Sequence, residues 1–220
     1  TAAPGFKENI NAWRLFFMTT LLLVFIMTVR IPVDSDTWWH LRTGEITWST
    51  GQPLLKDTLS FTHFNETWIN HSWLSQVVLF LCYKLSGYWG ISILVALIAA
   101  MTFGLLFRIG KSPAPFRTLL AILGVVVSAP VWSPRPQIFS LFFLALVEVI
   151  FHLYQIEHKR ILWILPLVFT LWANFHAGFT LGLIYLICAI AGELINVLMG
   201  NSSFDKKEIR SLIGWTVASS

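Results

Sequence analysis

Charge is what this sequence has least of. Lys, Arg, Asp and Glu together make up 12% of its 220 residues, 15 basic and 11 acidic. A water-soluble domain carries about 25%. Hydrophobic residues reach 56%, about 123 positions, and mean hydropathy is +0.70. That balance excludes a water-soluble globule, a disordered chain and a nucleic-acid-binding module. Cysteine is almost absent. Cys82 and Cys188 both sit inside apolar runs, which excludes a disulfide framework or metal spacing and reads as two small buried hydrophobes. The N-terminal TAAPGFKENI lacks the apolar core of a cleavable signal. No P-loop, GxGxxG, HExxH or GxSxG pattern occurs, which removes the usual soluble enzyme chemistries. Internal repeats and low-complexity stretches are missing too.

What is there is a series of apolar runs, at about 13–30, 88–107, 117–133, 137–154, 161–175 and 178–199, with a further start at 211–220. A helix needs ~20 apolar residues to cross a bilayer, so 123 of them line about six spans. The expectation is an all-α polytopic membrane protein, residues 1–220 forming a single membrane module of six to seven spans. The closing SLIGWTVASS reads as the opening of another hydrophobic helix, so these residues are expected to begin a longer chain.

Topology turns on one more run, 73–85. Thirteen residues rise only ~20 Å as a helix, short of the ~30 Å hydrocarbon core. Leu74, Val77, Val78, Leu81 and Leu85 follow one-sided helical spacing, as in a helix lying along the interface. Charge supports that choice. With 73–85 on the surface and the N-terminus inside, the inner side receives Lys7, Arg14, Arg108, Lys111, Arg117, Lys159, Arg160, Lys206, Lys207 and Arg210, ten of the fifteen basic residues. If 73–85 spans instead, only Lys7, Arg14, Lys84 and Arg135 stay inside. The positive-inside rule favours the first layout, and it accounts for the net charge of +4 and pI near 9.3 without an anionic ligand. The external loop then covers 31–87, with surface helices at about 36–50 and 73–85.

Polar chemistry gathers in and beside that loop. Pro32 ends the first span, and Asp34, Ser35 or Asp36 can cap the next helix. Asp36 and His40, four apart, share one helical face, while Trp38, Trp39 and Trp48 suit a helix floating at headgroup level. A capping aspartate on an interfacial helix and a base or metal site remain equal readings of this segment. His71 and Ser72 open the second surface helix, as cap or as polar site groups. Arg135 stands between two prolines at the start of the fourth span, followed by Gln137. A phosphate cradle and an arginine snorkelling to lipid phosphates both fit it. Asn174 and His176 fall at the outer end of the fifth span, either in a site or as turn caps, and Gly178 and Gly182 are spaced for close helix packing. Within the spans, Glu148 and His152 are one turn apart and are expected to hydrogen-bond each other, with Glu193 further along. The Asn-x-Ser/Thr triplets at Asn65, Asn70 and Asn201 are too short to carry weight.

Four segments in order, D-T-W-W-H-L-R-T-G from Asp36, N-H-S-W-L-S-Q from Asn70, R-P-Q-I-F-S from Arg135 and W-A-N-F-H-A-G-F from Trp172, resemble bacterial polytopic proteins of the GT-C glycosyltransferase superfamily. That superfamily includes protein O-mannosyltransferases, lipid A aminoarabinose transferases and oligosaccharyltransferases. The resemblance covers about Trp13 to Met199. It implies about seven spans with two juxtamembrane helices in the first external loop, in the bacterial inner membrane. It also implies a sugar donor on a polyprenyl phosphate, with membrane lipids and that donor as partners. The resemblance puts Asp36 in the place of the catalytic base or metal-holding acid, with Asp34 as competitor and His40 beside them. Arg135, His71, Asn174, His176, Trp39 and Gln137 become the substrate-binding candidates. The variable second half of such enzymes is absent from these residues. No cofactor is implied with certainty, and a divalent ion stays an open alternative, although Asp34, Asp36 and His40 supply few oxygens for a hard metal. A second reading is a catalytically silent subunit, retained for its helices beside other membrane subunits. A third, a proton path through Glu148, His152 and Glu193, is weaker because these do not form a chain across the bilayer.

Overall fold

The computed structural model describes residues 9–30, 34–200, 204 and 206–220; Lys7, Pro32 and the Asn201 triplet lie outside them. Eight helices follow in order: α1 Ile10–Thr28, α2 Asp36–Thr50, α3 Trp73–Ile109, α4 Ala114–Val127, α5 Gln137–Glu157, α6 Leu165–Phe175, α7 Phe179–Leu198 and α8 Lys206–Val217. Short 3-10 turns at Ala129–Val131 and Leu162–Ile164 precede α5 and α6. No strand is present among the described residues; the loop after α2 holds one isolated bridge, Lys56 to Thr67.

Among the described residues four helices, α1, α3, α5 and α7, are long and apolar enough to cross a membrane. The expected spans at 117–133 and 161–175 are shorter as helices, because Pro130 and Pro166 break them into a turn plus 14 and 11 residues. The last helix starts at Lys206, before the apolar start at 211.

The core is largely apolar, but hydroxyl and amide side chains are buried within it while many large apolar side chains face outward. On α1 the buried residues are Thr20, Val24 and Thr28, while Leu15, Met18, Leu22 and Ile26 are exposed. Thr20 and Thr118 hydroxyls lie 2.9 Å apart between α1 and α4, and Ser92 donates to the Arg30 carbonyl at 2.8 Å. Helices in lipid gain little from hiding leucine from their neighbours, so they associate through close packing and hydrogen bonds. Gly182 carries this further: a Cβ there would sit 2.5 Å from the Trp172 ring of α6. Cys188 is on the exposed side of α7 and Cys82 is half-buried, so neither is the buried hydrophobe expected of it.

The 73–85 segment and the following span are one helix, α3, broken at Ser86 and Gly87. Gly87 has φ +58°, a conformation open to glycine, and it lets the chain turn from the first arm into the second. The face of the first arm that packs on α2 is not the apolar stripe. Ser75, Gln76 and Leu79 are buried, whereas Leu85 is exposed. The stripe is divided: Leu74, Val77, Val78 and Leu81 are half-buried, with Val78 against the core, and Leu85 is exposed. Gly44 of α2 makes this contact close, because a Cβ on it would lie 2.1 Å from the Gln76 carbonyl oxygen.

Candidate functional site

At the end of the bundle where α2, α3 and α5 begin, residues about 100 positions apart in sequence meet. Asp34 precedes α2, and its carboxylate accepts the Asp36 backbone N–H at 3.0 Å. The backbone of the S-P-R-P turn is held by Arg135 N–H donating to the Ser133 carbonyl at 2.7 Å. That turn presents two donors to Asp34. Ser133 Oγ donates to Oδ2 at 2.8 Å, and the Arg135 guanidinium faces both carboxylate oxygens, with Nη2 donating to Oδ1 and Nε against Oδ2. Arg135 Nη1 also lies 3.1 Å from Asp36 Oδ2. The hydrogen bond from Arg135, with those from Ser133 and the Asp36 amide, holds the Asp34 carboxyl down to about 2.

The two aspartates therefore differ. Asp34 has both oxygens occupied and its side chain is 15% exposed; Asp36 has a single contact to Arg135 and is 43% exposed. The arginine fork expected to cradle a phosphate is taken by Asp34. Of these contacts the one from Nη2 has hydrogen-bond geometry, while Nε and Nη1 meet the carboxylates as ion-pair contacts.

His40, 5% exposed, lies one turn into α2. Gln76 Nε2 is 3.2 Å from its Nδ1, and Asn70 Nδ2 donates to Gln76 Oε1 at 2.8 Å. Burial lowers the imidazole to about 4; Arg135 and His176 push the same way, against Asp36 and Asp34. His176 lies in the extended residue after α6, where its Nδ1 is 2.8 Å from Ser140 Oγ and accepts Gly178 N–H at 3.0 Å. Burial lowers its affinity for protons, and nearby His71 adds to this.

The other candidates divide. Asn174 accepts from Trp73 Nε1 at 2.8 Å and donates to the Thr170 carbonyl at 2.8 Å, so it ties α6 to the start of α3. His71 is exposed and approaches the site only by its charge on His176. Gln137 is the first residue of α5 and is half-buried. Trp39 and Trp68, with centroids 5.9 Å apart, wall a cleft of about 320 Å³ that Asp57, Leu59 and Ser60 complete. Asp57 shapes that loop, accepting the Leu59 and Ser60 backbone N–H groups, each at 2.9 Å. A second cavity, of about 280 Å³, opens between Arg30, Asp34, Ser92 and Ser133.

Gln76, Asn70, Ser140 and Ser133 belong to this site; they lie within or beside the sequence motifs, which gave them no role. Gln76 left a signal: it is a large amide within an otherwise apolar run, off the apolar stripe. Among the described residues no three His, Cys, Asp or Glu side chains gather as a metal group, and the Asp34 oxygens are already engaged. These side chains do not fit a divalent ion. Deeper in the bundle, Glu148 accepts from Tyr185 of α7 and not from His152 as expected, and Glu193 accepts from Gln155 at 2.8 Å. Comparison with protein-family models, with curated proteins and with solved structures finds no match in any of the three.

Proposed function

We propose that this chain is a GT-C-type membrane glycosyltransferase module that moves a sugar from a polyprenyl-phosphate donor to an acceptor on the external face of the bacterial inner membrane, with its N-terminus cytoplasmic. The observation that carries the reading is the unequal use of two aspartates on one arginine. Asp34 is locked by Arg135 and Ser133, so it positions the guanidinium. Asp36 is left exposed with one contact, so its carboxylate is within reach of an acceptor hydroxyl. The sequence resemblance points to the same residue.

In this reading the acceptor hydroxyl gives its proton to Asp36 as its oxygen attacks the anomeric carbon. The bond from that carbon to the phosphate oxygen breaks, the phosphate leaves with the electron pair on its lipid, and configuration inverts. The Arg135 guanidinium stabilises charge on the departing phosphate. The indole-walled cleft at Trp39 and Trp68 suits the apolar face of a sugar ring. The prenyl chain keeps its phosphate at the depth where α5 begins.

The test is transfer from a polyprenyl-phosphate sugar by the purified protein in lipid. Asp36→Asn is expected to abolish transfer while insertion and melting stay as in wild type. Equal transfer by both proteins would move the assignment to a silent structural subunit.

A further inference from the structure

His40 and His176 differ in fold position but share one property that follows from who donates to whom. At His40 the order begins with the backbone. Ser72 N–H donates to Asn70 Oδ1 at 3.3 Å, which fixes which end of the Asn70 amide is oxygen. Asn70 Nδ2 must then donate to Gln76 Oε1, which turns Gln76 Nε2 toward His40 Nδ1. An amide nitrogen only donates, so Nδ1 accepts, and the ring proton of the neutral imidazole sits on Nε2. That nitrogen has no hydrogen-bond partner among the described residues.

At His176 a different chain gives the same result. Gly178 N–H donates to His176 Nδ1, so that nitrogen is bare, and Ser140 Oγ, which accepts from Trp172 Nε1 at 2.8 Å, must donate to it. His176 too carries its proton on Nε2.

We propose that Gln76 is a positioning residue: it holds His40 as a neutral Nε2–H donor that, with His176 in the same tautomer, supplies two N–H groups to oxygens of the phosphate-linked sugar. The use of those donors rests on the glycosyltransferase reading; the tautomers do not. Neutral donors suit this place. They bind hydroxyl or phosphate oxygens without taking the acceptor proton intended for Asp36.

The test is ¹⁵N NMR of the histidine-labelled full chain in lipid nanodiscs at pH 7, where protonated and bare ring nitrogens resonate far apart. His40→Gln and His176→Gln assign the signals. In wild type both rings are expected to show a bare Nδ1 and a protonated Nε2. Gln76→Glu places an acceptor against Nδ1, so the His40 proton moves to Nδ1 while His176 keeps its own pattern. Asn70→Asp, one step removed from the histidine, forces the Gln76 amide to turn over and gives the same change, which a purely structural role for Gln76 would not produce. A wild-type His40 protonated on Nδ1, or an unmoved proton in both variants, overturns the proposal. Transfer by Gln76→Glu is expected to fall about tenfold, the effect of one lost hydrogen bond to the reacting group. Absence of transfer in wild type would count against the glycosyltransferase reading and leave the tautomers standing.

Discussion

Helix α5 has a charged cluster at each end, about 30 Å apart by its length, and the two are built differently. After its last turn, Lys159 meets Glu157 at 2.7 Å and His158 meets Glu208 at 3.1 Å. The first pair joins near neighbours and is about half exposed on both sides. Before its first turn, Arg135 joins Asp34 and Asp36 across some hundred residues, with Ser133, Gln76 and Ser140 ordering the groups around it. Exposed pairs contribute a median of about 0–1 kcal/mol and are screened by salt. In the first-turn cluster Asp34, at 15% exposure with both oxygens engaged, is the member that water screens least. Charge count alone does not separate these ends; the number of fixed partners per charge does.

Four measurements break or sharpen that contrast. The largest effect is expected from Asp36→Asn, a loss of 10²–10⁴-fold in transfer, the usual size for removing a positioned base, against no change for Glu157→Gln at the other end. Next is Gly44→Ala, which drives a methyl into the backbone at Gln76 and cannot be relieved by a side-chain rotation. It should cost about 1–3 kcal/mol in thermal melts, whereas Gly192→Ala meets open space and should be neutral or slightly stabilising.

The third is pH dependence. Folded His40 titrates near 4 and its free side chain near 6.5. Between those values the unfolded chain binds more protons, so this stabilisation is complete above about pH 6.5 and is lost as pH falls toward 4. The melting temperature should drop across that window by the equivalent of about 1–3 kcal/mol, and less steeply in His40→Gln. Burial sets this shift first; Arg135 and His176 add to it, and Asp36 and Asp34 oppose it. The smallest is Asp34→Asn, expected to cost about 1–2 kcal/mol because Arg135 keeps Asp36 and some water. Glu157→Gln should stay within about 0.5 kcal/mol. Equal costs at both ends would show that the Arg135 cluster is only another surface pair.

Much of this was determined by the sequence alone. Scarcity of charge and long apolar runs dictate helices in lipid, because an unpaired backbone group has no water to bond in the hydrocarbon. The break at Ser86 and Gly87 was legible in the length of 73–85, and Asp34, Asp36, Arg135 and His176 stood out as polar residues near span ends. Only the tertiary structure decided partners. Asp34 took the arginine fork because the S-P-R-P turn delivers Ser133 and Arg135 together to the start of α2, a juxtaposition no local spacing encodes. Glu148 found Tyr185 because α7 packs across α5, bringing the phenol closer than a residue one turn away on the same helix. The tautomers of His40 and His176 follow from backbone N–H groups at Ser72 and Gly178 and from the Trp172 indole, whose directions exist only once the helices have packed.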